Sequence, residues 1–375
     1  MSDSVQTREG ALILDSHKLS YHFDRVEAWE ADERIAPVSI DMALTRACGA
    51  MCSFCYAMMQ EPQERSFITT AHALKLADDF ATIGVRGVSL ISDGESTLSK
   101  AYVPFIQHVA ELGIDVGNAT NGWEWEPEKI EQVLPHLTWV RFTVAAGRPE
   151  SYAQIMYKGP EYTEVFDRAM KHIKYAVDLK KRNRLHVTLG IQMVLMPEFK
   201  DEIIPFAQLG LDLGVDYAVI KHCSDDEQHT LGIDYSKYNP LYGLLTQAEA
   251  MSTEQTKVII KWDKIRDGDK PLYKRFYGPA FLLQISGSGL VAPSGMFFNA
   301  RYSKLHIGNF IEERFIDIWR SDRYSRAIAY LASPAFNAQT MMGTLPIQHY
   351  VSVALDRHVK GVERIQLATG LKPLH

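Results

Sequence analysis

Six short apolar runs between residues 38 and 220 alternate with longer amphipathic stretches, and this rhythm narrows the possible folds more than any other feature of the chain. The runs fall at 38–44, 87–91, 115–119, 139–144, 186–195 and 216–220. Each is apolar or β-branched and is bounded by Gly, Asp, Asn or Pro, which reads as a strand. Between them, residues 70–83 set Ala71, Leu74, Leu76, Ala77 and Phe80 near helical spacing ahead of Gly84. Residues 161–182 put Val165, Ala169, Ile173, Ala176 and Val177 on one stripe. The stretches 102–112 and 202–213 run up to Gly113 and Gly214. Strands alternating with helices pack as a parallel sheet of right-handed βαβ units, open or curled into a barrel. Chemistry in such α/β folds sits at the carboxyl ends of the strands.

Past residue 224 the rhythm changes. An acidic, polar stretch at 224–228 leads to a helix expected near 241–251 and a strand at 257–262. Apolar runs flank Ser286-Gly287-Ser288-Gly289, which predicts a hairpin. A further helix is expected near 315–331, before a weakly patterned tail. The chain divides on this reading into an N-terminal segment at 1–35, an α/β core at 36–225 and a smaller α+β extension at 226–375. With 375 residues, 46% of them hydrophobic, it can bury a normal core, so no metal or disulfide is needed merely to fold. The net charge of −6 argues against a nucleic-acid partner or an anionic membrane surface. No window approaches the ~18 uninterrupted apolar residues of a membrane span. Residues 1–10 lack the basic-then-apolar pattern of a signal peptide, so a cytoplasmic location is expected.

The chain has four cysteines, and three of them, Cys48, Cys52 and Cys55, share the loop after the first strand. A disulfide framework belongs to short, secreted, cysteine-dense chains, which this is not. The spacing C-x3-C-x2-C lets three thiolates wrap one cubic cluster and leave a fourth iron free of protein ligands. A zinc site with Cys223 as fourth ligand is the structural alternative. Tight structural zinc sites, however, pair two short knuckles, and here one triad faces a lone cysteine far downstream.

The run from Thr45 to Tyr56, with aromatic Phe54 just before the third cysteine, resembles the signature of the radical S-adenosylmethionine (SAM) superfamily. The resemblance implies a partial (βα)6 TIM-like barrel with one [4Fe–4S] cluster on Cys48, Cys52 and Cys55. It also implies reductive cleavage of SAM to a 5′-deoxyadenosyl radical that abstracts a substrate hydrogen. Such chemistry is oxygen-sensitive and draws on an electron donor such as a flavodoxin or ferredoxin. The second strand ends in Ser92-Asp93-Gly94-Glu95-Ser96, where the superfamily carries a Gly-Gly-Glu-Pro-like motif for the SAM amino group. Gly94 and Glu95 match it, and Asp93 and Ser96 depart from it. By the same resemblance Tyr56, Asn121 and Thr143 join the cofactor-binding set, with a plain turn as the alternative at Asn121-Gly122 and an exterior ion pair as the reading for Arg141. Gln192, a polar residue within an apolar strand, is expected to point toward the adenosine and joins the set.

The sixth strand ends in Lys221-His222-Cys223, a cation, an imidazole and a thiol at one strand end, and these are the candidate substrate-facing catalytic residues. In the extension, Gly308-Asn309-Phe310 and Ile318-Trp319 with Ser321 resemble the SPASM-type region of peptide-modifying maturases and some sugar-modifying dehydrogenases. That region carries cysteines where this chain has Ala280 and Ser294, with Met342 and Pro346 at further ligand positions. The expectation is a SPASM-like extension without auxiliary clusters, which favours redox-neutral chemistry over dehydrogenation. A cluster-retaining but catalytically silent scaffold is the competing reading. The substrate is a small molecule, a sugar or a peptide. Residues 1–37 are too few for a typical winged-helix leader-binding module.

Overall fold

The computed structural model describes residues 4–7, 10–13, 17–60, 66–270, 272–341, 343 and 348–368. Its centre is one ten-stranded sheet. The first six strands are β1 (Ser39–Met42), β2 (Gly87–Leu90), β3 (Asp115–Thr120), β4 (Trp139–Thr143), β5 (Thr188–Leu195) and β6 (Tyr217–His222). They pair in parallel and in chain order, as the alternation predicts. This is the α/β partial barrel. The helix Thr70–Ile83 begins and ends where its punctuation says it should. Thr69 Oγ1 accepts the amide of His72 at 3.2 Å, and Gly84 closes the last turn at φ 89°.

Side chains alternate between the two faces of each strand. Val140 and Phe142 of β4 are buried against the helices, while Trp139, Arg141 and Thr143 face the barrel interior, where they line a cavity. Two glycines make room there. A Cβ on Gly117 would lie 2.0 Å from the Trp139 ring, and one on Gly190 would lie 2.1 Å from the Tyr217 ring. Gly117 is in register with Trp139, and Gly190 with Tyr217. The large rings therefore fill the interior only because the neighbouring strands are bare at those points.

The extension differs from expectation in how it joins the core. Its strands β7 (Lys257–Ile260), β8 (Leu282–Ile285), β9 (Leu290–Ala292) and β10 (Gly308–Asn309) form no sheet of their own. They continue the barrel sheet at both edges, in the order β10-β9-β8-β1-β2-β3-β4-β5-β6-β7. Strand β8 lies parallel to β1, and β7 lies parallel to β6. The hairpin of β8 and β9 around Ser286–Gly289 is as predicted. The helix expected near 315–331 is two helices, Phe315–Arg320 and Asp322–Ala332. Ser321 divides them, its Oγ accepting the amide of Tyr324 at 3.2 Å. The weakly patterned tail contains a helix, His349–Val359. Docking onto the core runs through buried Asp79, which pairs with Arg314 and accepts the amide of Ile316 at 3.3 Å, beside an edge-on contact of Phe80 with Phe315. Among the described residues no helix is long and apolar enough to cross a membrane.

Gly190→Ala is expected to destabilise the protein by about 1–3 kcal/mol through overpacking. Adding Tyr217→Leu should return part of that loss. Chemical denaturation of the single and double variants measures the coupling, and strictly additive losses would contradict this packing.

Candidate active site

The barrel interior holds a cavity of about 590 Å³, lined at the carboxyl ends of the strands by Cys48, Cys52 and Cys55. Hydrogen bonds hold the loop that carries them along its length. Thr45 Oγ1 donates to the Ser66 carbonyl at 2.5 Å and accepts the amide of Ala47 at 3.0 Å. The amides of Met51 and Ser53 donate to the carbonyls of Met156 and Ile155 at 2.8 and 2.9 Å, pinning the loop to the helix Pro149–Tyr157. The Cys55 amide closes a turn onto the Cys52 carbonyl at 3.1 Å. Cys48 is exposed at the cavity mouth, yet desolvation by the surrounding loop pushes its thiol up to about 12, helped by the nearby Glu95 carboxylate and Cys55. Burial and the two neighbouring thiols push Cys52 well above its ordinary range. Three soft donors that disfavour one another's negative charge on a shared cavity suit a cationic iron core, which stabilises all three thiolates together. Among the described residues no three His, Cys, Asp or Glu side chains close around a single metal ion.

The loop after β2 explains its own departures from the superfamily motif. Asp93, where the motif has its first glycine, is buried and takes an ion pair from Arg46 Nε at 3.1 Å. It also accepts from Ser286 Oγ at 2.5 Å and from the Gly287 amide at 2.9 Å. Ser96, where the motif has proline, accepts the Leu44 amide at 3.1 Å. Gly94 has no room for a side chain, since a Cβ would lie 1.9 Å from the Thr45 carbonyl oxygen. Glu95 spends both carboxylate oxygens inside the protein: Oε2 accepts the Asn121 amide at 2.8 Å, and Oε1 accepts Thr97 Oγ1 at 2.8 Å. Burial raises its pKa against those hydrogen bonds.

Tyr56, Gly94, Glu95, Asn121, Thr143 and Gln192 all line the same cavity as the three cysteines, and so does Lys221. The hydroxyl of Tyr56 donates to Ser92 Oγ at 3.1 Å. Asn121 Oδ1 accepts the Trp123 amide at 3.1 Å, over a turn that Gly122 closes at φ 81°. His222 and Cys223 lie outside this lining. Strand parity sends Lys221 inward and His222 outward, where its ring meets Tyr235 and Tyr238 edge-on at 5.3 and 6.1 Å. Burial drives the His222 pKa down to about 3, and its Nδ1 is 2.6 Å from the Cys223 carbonyl oxygen. Cys223 is fully buried among apolar side chains, with its thiol pushed up to about 12 by burial. It does not share the cavity of the other three cysteines, as a fourth ligand would. Ala280 is buried against Leu19 and Val26, Ser294 borders the cavity, and Met342 and Pro346 lie outside the described residues.

Two cavity carboxylates, Asp41 and Asp115, escaped the sequence reading. Asp41 of β1 points inward, and burial raises its pKa to about 7 against a hydrogen bond from Ser89 and the charge of Arg141. Its signal was available: an acid in the polar phase of Ser39-Ile40-Asp41-Met42, whose other phase is fully buried.

Residues 42–209 match the sequence model of the Radical SAM superfamily. The chain carries a radical SAM domain. Its cofactors are accordingly a [4Fe–4S] cluster and SAM. A curated relative, the sporulation killing factor maturation protein SkfB of Bacillus subtilis, is 31% identical over 101 residues. The match spans 27% of this chain and only 24% of SkfB, about a quarter of that protein's length. Among solved structures, SuiB of Streptococcus suis bound to SAM superposes with a TM-score of 0.62 at 16% identity, covering 81% of this chain and 71% of SuiB. The protein anSMEcpe with bound SAM gives 0.56 at 11% identity, over 88% of this chain and 98% of that one. At these identities the superpositions speak for the fold.

Asp93→Ala is expected to cost about 3–5 kcal/mol, because Arg46 stays buried without its partner. Arg46→Met in the same chain should recover part of the loss, and urea unfolding of both variants reads the difference. Asp41 has a pH signature. Its folded pKa of about 7 stands above the ordinary 3.8, so its ionisation costs stability progressively as pH rises from about 4 to 7. Asp41→Asn should therefore gain up to about 4 kcal/mol on the wild type between about pH 4 and pH 8. Denaturant titrations at the two pH values test this, and a pH-independent difference would contradict it.

Proposed function

We propose that this chain is a single-cluster radical SAM enzyme acting on a peptide. The observation that carries the reading is the meeting of the cysteine triad, Gly94, Asn121, Thr143 and Gln192 on one cavity. Cys48, Cys52 and Cys55 hold the cluster. Tyr56, Gly94, Asn121, Thr143 and Gln192 bind and orient SAM. When bound, the two cofactors supply one-electron cleavage of SAM and abstraction of a substrate hydrogen atom. Glu95 acts as a positioning residue: its carboxylate fixes the Asn121 amide and the turn at Thr97. A flavodoxin or ferredoxin supplies the electron.

Peptide chemistry is supported by the relatives. SkfB is a maturation protein, and SuiB and anSMEcpe have been solved with a bound precursor peptide and with bound peptides, respectively. A cluster count of one is supported by the cysteine inventory, since Cys223 is the remaining thiol in the chain and is sealed in the core. Without auxiliary clusters a substrate radical has no internal electron acceptor. The reading therefore favours redox-neutral outcomes such as epimerisation, elimination or rearrangement, with the 226–375 extension serving as scaffold and cap.

Anaerobically reconstituted protein should bind about four irons per chain and form 5′-deoxyadenosine from SAM and dithionite. Cys52→Ala should lose both the iron and the product. Persistent cleavage in that variant would overturn the triad assignment, and a ratio near eight irons would overturn the single cluster.

A further inference from the structure

The helix Pro149–Tyr157 packs against the cysteine loop and carries two tyrosines whose hydroxyls the protein leaves unused. Tyr152 and Tyr157 are buried, and among the described residues neither phenol oxygen has a hydrogen-bond partner. Their rings lie 5.9 Å apart in an aromatic nest. Tyr152 meets Phe166 edge-on at 5.3 Å, and Tyr157 meets Trp123 edge-on at 6.2 Å. The two hydroxyls act on each other. A bond between them would still satisfy one hydrogen only, because the accepting hydroxyl keeps its own O–H to place. A buried donor left unmet is unfavourable, so the pair marks a place where a further acceptor belongs.

The group beside them is Cys52. Its Sγ lies 3.6 Å from Met156 Sδ, and Met156 stands one turn beyond Tyr152 and directly before Tyr157. The amides on either side of Cys52, those of Met51 and Ser53, bond to the carbonyls of Met156 and Ile155. The charge of Cys52 acts on both phenol groups, and that of Cys48 acts on Tyr157. As an iron ligand the Cys52 sulfur has no hydrogen to donate and can only accept, while the Met156 thioether has none to offer it. The side-chain O–H donors that this helix end brings to the cysteine loop are the two tyrosines.

We infer that Tyr152 and Tyr157 form a hydrogen-bond donor pair for the [4Fe–4S] cluster, at least one hydroxyl turning to a cluster sulfur at the Cys52 corner and setting the reduction potential. This rests on the radical SAM reading and adds what tunes its cluster. An electron added to the cluster spreads negative charge over its sulfurs, and surroundings of low dielectric oppose that charge. An O–H dipole aimed at a sulfur stabilises the reduced state more than the oxidised one. The pair therefore raises the potential and eases reduction by the electron donor. Gly94, Asn121, Thr143 and Gln192 line the cavity and the two tyrosines do not, so the pair acts on the cluster apart from the SAM-binding residues.

Redox titration of the reconstituted protein without SAM, followed by the EPR signal of the reduced cluster, tests this. Tyr152→Phe, Tyr157→Phe and the double variant keep both rings and remove only hydroxyls. The double variant and at least one single variant should show a midpoint lowered by about 59 mV, a tenfold loss in the one-electron equilibrium. Tyr273→Phe, buried in a separate apolar cluster of the extension, should leave the midpoint unchanged. Urea unfolding of the cluster-free chain supplies a second reading. There the double variant should be at least as stable as the wild type, because unmet hydroxyls give way to apolar ring edges. A midpoint that moves no more than in Tyr273→Phe would overturn the inference. So would a destabilised cluster-free double variant, which would show that the hydroxyls already have partners within the protein. If the cluster forms and 5′-deoxyadenosine is made but the midpoint is indifferent to both tyrosines, only this inference falls. If the wild type assembles no cluster, the radical SAM reading falls and the donor pair with it.

Discussion

The buried carboxylate of Asp93 is the point on which the active end of this fold depends. It gathers Arg46 from the cysteine loop and Ser286 and Gly287 from the turn between β8 and β9. These segments are remote in sequence, and the Asp93 side chain is wholly shielded from water. In that setting a guanidinium, a hydroxyl and a backbone amide satisfy the charge together, and removing any of them leaves a buried polar group unmet. The backbone follows the same plan. A Cβ on Gly94 would strike the Thr45 carbonyl, and one on Gly287 would lie 2.2 Å from the Thr45 carbonyl carbon. The entry to the cysteine loop is thus clamped between two bare glycines, with Asp93 as the electrostatic bolt. An aspartate in place of a motif glycine therefore reads as an adaptation: it fastens the extension to the cofactor loop.

This clamp also explains why the extension continues the barrel sheet. Strand β8 pairs with β1 over Leu282–Ile285, and the next residues of the chain are the Ser286-Gly287 turn that meets Asp93. The parallel pairing and the buried ion pair support each other. The helices beyond are held by a second buried acid, Asp79, through Arg314 and Ile316. Two aspartates, one on the loop after β2 and one on the helix before it, join the two parts of the chain.

Legibility in the sequence followed the range of the interactions. The six core strands and the helix Thr70–Ile83 could be read because their signals are local: period-two burial, an N-cap threonine and a terminal glycine. The cysteine loop could be read because three ligands lie on one short stretch. The attachment of β8 to β1 could not, since that partner lies across the whole core in sequence, whereas β7 pairs with the strand just before it, β6. The split at Ser321 was written as a serine cap inside an apolar periodicity that masked it. At the end of β6 the residue types were right but their phase was not weighed. Alternation gives Lys221 to the cavity and His222 to the aromatic pair outside it, so three adjacent polar residues could not all face one substrate.

That same alternation decides which side chains reach the cavity. Strands β1 to β3 turn toward it small and hydrogen-bonded groups, such as Ser89, Gly117 and Ala119, together with the loop residues Gly94 and Asn121. Strand β6 turns Tyr217 and Lys221 toward it. Asp41 of β1 and Arg141 of β4 act on each other across it, the acid raised toward neutrality by burial and the base with a buried nitrogen unmet. The alternation thus decides chemistry as well as packing, since a one-residue slip of any core strand would exchange these polar groups for the apolar set that packs against the helices.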